Sequence, residues 1–361
     1  VKAIVMREHG GSDVLRLADA PDPAFARDEA LVRVRACGVN NLDTQIRRGI
    51  PGVTIALPHV LGCDIAGEVA ALGEDANAGR SAGTSTRADD RRSALAPLSV
   101  GDRVVVSPGS GCGVCRACLA GDESACPRYA MLGYQRHGGY AELVSVPARS
   151  VIRVSDRWSF EEWGSAPLVF LTAWHMLITR ARLRPAETVL VHAAGSGVGI
   201  AAIQIARCAG ARVIATAGSD EKLAKARALG AEAGINYSAA GWHKQVRALT
   251  AGEGVDVVVE HTGAGTWSGS LASLARRGRL VTCGATTGYD VPVDIRHLFV
   301  KQLSLIGSYM GSQRELIDAI ALLERGELRP VVDSVFPLAE AAAAHERVAS
   351  RALFGKICLT I

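Results

Sequence analysis

The sequence predicts an α/β protein of two domains, an antiparallel β domain followed by a parallel sheet with helices on both faces. Three observations carry this. The chain's 361 residues exceed what one core comfortably holds. Residues 1–150 read as short alternating runs broken by Gly and Pro, such as "KAIVM", "EALVRVRACGV" and "DRVVVSPG", the pattern of antiparallel strands. From about residue 160, nearly continuous apolar runs ("TVLVHAAG", "ARVIATAG", "VDVVVEHTG", "GRLVTCGATTG") alternate with helical patterns such as "GIAAIQIARCAG" and "DEKLAKARALG". That alternation marks a parallel sheet buried on both faces.

After "LSLIGSYMG" come a long helix, "RELIDAIALLERGEL", a second helical stretch, "EAAAAHERVASR", and a terminal strand, "GKICLTI". One segment breaks the pattern. Residues 74–99, "EDANAGRSAGTSTRADDRRSALAPLS", hold almost no large apolar residue, and their four acidic and four basic residues cancel. A connection this long without structure of its own is expected to be a mobile surface loop.

Apolar residues make up 48% and the net charge is only +4, without long like-charge blocks, so neither a nucleic acid nor an anionic membrane is called for. No apolar run reaches the length of a membrane span, and "VKAIVMREHGG" reads as a strand and turn rather than a secretion signal. A cytoplasmic enzyme acting on a small molecule is expected. Nine cysteines, an odd number, argue against a disulfide framework.

Residues 188–210, "TVLVHAAGSGVGIAAIQIARCAG", read as strand, glycine turn and helix. Gly197 and Gly199 let backbone approach a pyrophosphate, and the helix starting near Val198 aims free N–H groups at it, with Ala194 and Ser196 in the same loop. A dinucleotide is the expected cofactor. An NAD site usually carries an acid about 20 residues on, to hold the ribose 2′-hydroxyl. The next strand instead ends at Ala217 and Gly218, and Asp220 reads as the cap of the following helix. Ser219 and Lys222 suit a 2′-phosphate, so NADP(H) is expected; Lys222 reads equally as a solvated helix residue, and NAD(H) stays open.

"CGVCRACLAGDESAC" spaces Cys112, Cys115, Cys118 and Cys126 as x2, x2 and x7. Four thiolates so close suit a tetrahedral Zn²⁺ with every position filled, hence a structural zinc; the x7 gap matches neither ferredoxin spacing.

With these motifs on the page, the chain resembles the medium-chain dehydrogenase/reductases over essentially its whole length. The resemblance rests on "ACGVNNLDTQIRRG", "LPHVLGCDIAGEV", "APLVFLTAWHML", "VLVHAAGSGVGIAAIQIA", "GRLVTCGATTG", "LIGSYMG" and "GKICL". It implies a GroES-like β-barrel domain over 1–165 and 312–361, with a zinc lobe at 109–127 and the inserted loop 74–99, and a Rossmann domain over 166–311. It also implies an active site in the cleft between them, and a homodimer through the last Rossmann strand.

Zinc alcohol dehydrogenases of this family hold a catalytic metal with Cys, His and Cys. At those positions this chain has Asn40, Cys63 and Phe170, while Cys37 lies three residues too early. A catalytic metal needs three protein ligands and an open position, so its loss is expected, leaving Cys63 a small residue facing a metal-free cleft and Asp64 a barrel-turn carboxylate. A different site built from His59, Cys63 and Asp64 is the alternative, and with it a zinc-dependent alcohol dehydrogenase. A family member that binds nucleotide without turnover is a third reading.

"GVNNLD" and "FLTAWHML" instead resemble the zinc-independent quinone and enoyl reductases, which move a hydride from NADPH to an activated C=C bond or a quinone. Without a Lewis acid, hydrogen-bond donors must stabilise the developing enolate. Asn40 is the expected substrate-facing amide, Thr172 a hydroxyl near the nicotinamide, Asp43 a loop-orienting or purely structural carboxylate, and Tyr309 a proton donor or a packing residue. By the same resemblance Tyr237, Arg351 and Lys356 match positions touching the adenine, the 2′-phosphate and the nicotinamide side. His261, Thr262, Gly284, Ala285, Thr286 and Ser308 belong to the carboxyl ends of sheet strands, where ligands bind. His175 and His192 lie in apolar stretches and read as satisfied core histidines.

Overall fold

Why so many alternating residues crowd into Glu29–Val39 becomes plain in the computed structural model, which describes residues 1–80 and 94–361. Ala30, Val32, Val34 and Ala36 all point inward along this strand. It pairs antiparallel with Asp64–Leu72, with Leu143–Pro147 at its first half and with Lys356–Thr360 at its second. Arg103–Val106, Val151–Arg153 and Val332–Pro337 complete a seven-stranded sheet. Inside lies a core of Val32, Val34, Ile46, Leu61, Ile65, Val104, Tyr140 and their neighbours. These strands belong to the first of two compact units, Val1–Leu168 with Ser312–Ile361; the second is Val169–Gly311.

The register around Gly38 places the chemistry of the first unit. Gly38 faces Asp64 on one side and Cys358 on the other. A side chain there would run into the Gly164 carbonyl and the Asp64 Cβ, so only glycine fits. Helix Asn41–Arg48 follows at once, with the Asp43 carboxylate accepting the Asn40 N–H at 2.7 Å.

The second unit is a six-stranded parallel sheet. Its spatial order is Ala233–Asn236, Arg212–Ala217, Thr188–Val191, Val255–Glu260, Leu274–Thr282 and Ser304–Gly307. Chain order reverses between Thr188–Val191 and Val255–Glu260, the switch point at which such sheets open a crevice. Val189–Val191 and Val257–Val259 are fully buried, as the apolar runs require. This is the Rossmann topology, and the sheet of the first unit is the GroES-like partner expected from sequence.

The loop reading of 74–99 needs correction at its ends, while 81–93 lie outside the described residues. Asn77 pairs with Leu98 through both its amide groups, at 3.1 and 2.7 Å. Arg80 donates to the carbonyls of Ala96, Ala148 and Val151. Ala76 and Leu98 are buried, so these flanks are built into the fold. Among the described residues no helix is long and apolar enough to cross a membrane.

A buried histidine makes the first unit sensitive to acid. The His345 Nε2 lies 3.1 Å from the Tyr140 hydroxyl, which in turn lies 3.4 Å from Asp43. Burial, reinforced by Arg47 and Arg48, pushes the His345 imidazole down to about 3. An imidazole whose folded pKa is depressed below the unfolded 6.5 contributes stability above pH 6.5 that is lost as pH falls toward 3. His345→Gln should therefore flatten the pH dependence of unfolding free energy by about 1.4 kcal/mol per pH unit between pH 6 and 4. Denaturant titrations at several pH values give that slope, and parallel curves for the two proteins would refute the assignment.

Candidate functional site

In the second unit the loop after Thr188–Val191 does what a pyrophosphate site requires. Ser196 caps helix Gly197–Cys208, its Oγ accepting the Gly199 N–H at 3.0 Å. A Cβ at Gly199 would strike the Ala193 carbonyl, so the glycine lets helix and strand pack closely. Ala194 is tied to the next strand through Thr216 O at 2.8 Å. The backbone N–H groups of Gly197 and Val198 belong to the first turn, the end of a helix that favours anions.

Strand Arg212–Ala217 ends without a carboxylate, and Gly218 lies open, with Tyr237 and Ser238 at 3.8 Å from where its Cβ would be. Here one expectation is corrected. Ser219 is the N-cap of helix Asp220–Ala228, accepting the Lys222 N–H at 3.4 Å, and Asp220 is the first helical residue. Ser219 lies in the extended region at φ −151°, the conformation a cap needs, and its hydroxyl is one atom closer to the backbone than an Asp carboxylate one residue later.

Beneath the strand ends lies a buried polar chain that the sequence did not reveal beyond a core histidine. Glu260 accepts the N–H groups of Thr262 and Gly263 at 2.7 and 3.1 Å, and the hydroxyls of Thr266 and Ser270 at 2.8 and 2.7 Å. His192 Nε2 is 2.9 Å from the Ser270 Oγ and His192 Nδ1 is 2.8 Å from the Thr216 Oγ1. The one proton of Ser270 goes to the Glu260 carboxylate or the Thr266 carbonyl, at 2.7 and 2.9 Å, so His192 carries its proton on Nε2, donating to Ser270, and accepts from Thr216 on Nδ1. Burial pushes His192 down to about 4, which keeps it neutral. Burial alone would raise the Glu260 carboxyl; with His192 neutral, the hydroxyls and N–H groups that it accepts hold it below the ordinary value instead. His261 donates its Nε2–H to the His192 carbonyl at 3.0 Å. The only hint in the sequence was polar residues inside otherwise apolar strands.

Gly284 and Ala285 follow Leu274–Thr282, with Thr286 Oγ1 3.4 Å from the Thr262 carbonyl. The hydroxyls of Thr262 and Ser308 are buried and find no partner among the described residues. Two orphaned hydroxyls at strand carboxyl ends, beside a capped glycine turn, fit a bound nicotinamide dinucleotide. Thr172 is buried in helix Pro167–Trp174, whereas Tyr309 is 53% exposed.

In the first unit Asn40, Asp43, Cys63, Asp64 and Lys356 come together, and the arrangement revises three expectations. Asn40 Nδ2 donates to Asp64 at 2.9 Å and lies 3.6 Å from the Cys63 Sγ, while its Oδ1 accepts from Lys356. Both ends of the amide are used internally, so Asn40 is not a substrate-facing donor. Asp64 is fully buried at the start of its strand, taking the Leu168 N–H at 2.6 Å and the Lys356 ammonium at 3.0 Å, and is no turn carboxylate. Cys63 is a core residue rather than one lining a cleft. Lys356, 6% exposed, bonds Val39 O, Asn40 and Asp64, three acceptors for its three protons. Asp43 takes the N–H groups of Asn40 and Gly62, the latter at φ +97°, which suits its structural reading. Burial pushes the Asp43 carboxyl up to about 6. Arg351 lies exposed just beyond helix Ala341–Ala349, at φ +55°.

His59, Cys63 and Asp64 are not gathered into a metal site. Among the described residues the one group of three or more His, Cys, Asp or Glu donors within reach of each other is Cys112, Cys115, Cys118 and Cys126, with all ligand atoms within 4.8 Å. A tetrahedron with Zn–S bonds of about 2.3 Å has edges of about 3.8 Å, so the donors need only a small contraction. The Cys126 Sγ accepts N–H groups from Cys112 and Arg128 at 3.4 and 3.3 Å, as a ligating thiolate does. The Val114 N–H leads in drawing the Cys112 thiol down to about 6. Four cysteines suit zinc, and they leave no position for substrate.

Comparison with known proteins agrees with this geometry. Residues 26–156 match the alcohol dehydrogenase GroES-like domain, and residues 197–325 the zinc-binding dehydrogenase family. The chain is 32% identical to a quinone oxidoreductase of Pseudomonas aeruginosa, covering 99% of each protein. It is 44% identical to a crystal structure of an NAD-dependent alcohol dehydrogenase, with a TM-score of 0.91 and full coverage of both chains. A mycobacterial protein solved with NADPH is 30% identical, with a TM-score of 0.80 and full coverage of both chains. Glycine turn, four-thiolate cluster and two-sheet architecture thus meet in one conclusion: the chain belongs to the medium-chain dehydrogenase/reductase family and is an NAD(P)-dependent oxidoreductase.

Proposed function

We propose that the protein is an NADPH-dependent reductase of an activated C=C bond or a quinone, working without a catalytic metal and carrying one structural zinc. The observation that carries this is the first-unit cluster: the residues at the catalytic-ligand positions are Asn40, engaged by Lys356 and Asp64, and Cys63, with His59 elsewhere. The nicotinamide, when bound, supplies the hydride. The chain's part is to bind and orient. Helix Gly197–Cys208 receives the pyrophosphate, Thr262 and Ser308 offer hydroxyls without a partner among the described residues, and Ser219 and Lys222 receive a 2′-phosphate where the strand tip lacks an acid. With Asn40 committed, Thr172 and Tyr309 are the candidate hydroxyls toward the developing enolate oxygen. The NADPH-bound mycobacterial neighbour supports the cofactor choice.

A panel of enones, quinones and enoyl thioesters, followed by NADPH absorbance, tests this. Turnover with at least one class is expected from protein carrying about one zinc per chain. Lys222→Ala should raise KM for NADPH about tenfold and leave that for NADH unchanged, the effect of one lost charge-assisted contact. The alcohol dehydrogenase neighbour favours a second reading. Alcohol oxidation that needs about a second zinc would establish it and remove the first.

We further propose a homodimer formed along Ser304–Gly307. This edge strand pairs only with Leu274–Thr282 among the described residues, and helix Ile295–Lys301 beside it buries none of its residues. Tyr289, Ile295, Phe299 and Val300 stand exposed there, an apolar surface that an unpaired edge needs covered. Sedimentation should give twice the chain mass, reverting toward one on Phe299→Asp; a monomeric wild type would dispose of the proposal.

A further inference from the structure

The Lys356 ammonium sits in a cage whose other members are metal-ligand chemistry. Its three protons go to the Val39 carbonyl at 2.8 Å, the Asn40 Oδ1 and the Asp64 Oδ2 at 3.0 Å. The Cys63 Sγ adjoins the same amide, 3.6 Å from the Asn40 Nδ2. A carboxylate and two amide-type oxygens converge on this one buried cation, and the Cys63 thiol lies beside the same amide; carboxylate and thiolate are donors that hold borderline divalent metals, and the carbonyl oxygens can complete a coordination shell. The strand register builds this cage: Asp64 and Cys358 flank Gly38, and Lys356 therefore reaches past Val39 to Asn40.

We propose that Lys356 is a resident cation that keeps a divalent metal out of this cage, and that removing its charge converts the cage into a metal site. The proposal rests on the metal-free reading above. Charge balance is the physical reason. With lysine present, one positive ammonium neutralises one negative Asp64, and Cys63 stays a neutral thiol. Without it, the buried carboxylate is left alone. A divalent cation then restores neutrality by binding Asp64 and the Cys63 thiolate, with one proton released from Cys63 to solvent. In the wild type the same cation would face the ammonium across a few ångströms, and its binding would leave the cage with excess positive charge.

The test uses the full-length, zinc-loaded protein. Wild type, Lys356→Ala and Lys356→Gln are refolded with stoichiometric Zn²⁺, which fills the four-cysteine cluster, with and without added Co²⁺, then assayed for bound zinc, bound cobalt and visible absorption. The Gln variant removes the charge while keeping an amide that can bond Asp64 and Asn40. Wild type should stay at about one metal per chain, and the variants should reach about two, with the intense absorption of thiolate-bound tetrahedral cobalt. Adding Cys63→Ser to either variant should abolish that absorption. Folded variants that remain at one metal would overturn the exclusion role and leave the metal-free reading of the wild type standing. Failure of both variants to fold even with Co²⁺ would overturn it too, since the metal should replace the missing charge. Two metals in the wild type, with the Cys63-dependent absorption, would instead remove the metal-free reading itself.

Discussion

Replacing Cys118 with serine is expected to strip the zinc from the protein and unfold the lobe around it. The lobe has little else to hold it. Helix Arg116–Leu119 and the turn Glu123–Ala125 contain no buried residue, and Val114 and Leu119 are 69% and 77% exposed. Among the described residues its one ladder is the two-residue pairing of Gly109–Ser110 with Ala130–Met131, and the lobe is otherwise tied to its unit by the Gln313 N–H on Glu123 and Arg149 on the Gly111 carbonyl, each at 3.0 Å. With no buried residue in that helix or turn, most of the ordering is expected to come from the metal, whose binding is worth roughly 10 kcal/mol in such sites. A serine hydroxyl does not ionise to match a thiolate, and the remaining three donors leave an open, weaker site. Zinc content should fall well below one per chain, amide exchange should become fast over 109–127, and NADPH affinity should persist because the glycine turn lies in the other unit. Retention of full zinc by Cys118→Ser would contradict a structural role for that cysteine.

The second large effect is expected at Glu260. Its carboxylate is fully buried and accepts four hydrogen bonds, two from the backbone of Thr262 and Gly263. Alanine would leave all four donors unpaired and open a cavity. At about 1 kcal/mol or more for each orphaned donor, a loss on the order of 4 kcal/mol is expected. Nucleotide affinity should fall with it, because the Thr262–Gly263 turn presents part of the strand-end surface and His192 loses the end of its chain. Urea unfolding and NADPH fluorescence titration measure the two losses. Gln should be milder in both, since it keeps one acceptor oxygen. An unfolding midpoint matching wild type would show that water substitutes for the carboxylate and that the chain is not structural.

How far the sequence could be read depended on the distance over which each feature is decided. The glycine turn needs only residues 188–210, and its Ser196 cap and close Gly199 packing are as local as the motif that announces them. The cap is Ser219 rather than the expected Asp220, a difference of one residue at an element boundary, where side-chain reach decides between neighbours. The flanks of 74–99 misled because Arg80 and Asn77 are satisfied by carbonyls and amides that no composition count can see.

Asn40 is the clearest case of what lay beyond reach. Its position in "GVNNLD" marked it as important, and nothing within that segment says which way its amide is spent. That was settled by Lys356, which lies 316 residues later and arrives only because the terminal strand pairs beside Val39. By itself, then, the sequence determined the two sheet types, the nucleotide turn and the four-thiolate cluster, whose residues lie close enough along the chain for spacing to imply geometry. Only the tertiary structure decided the pairing of Lys356 with Asn40 and Asp64 and the proton order from Thr216 through His192 to Glu260. Buried polar groups take their partners from whatever strand the register brings alongside, and in a low-dielectric interior those partners set the charge and tautomer of each group.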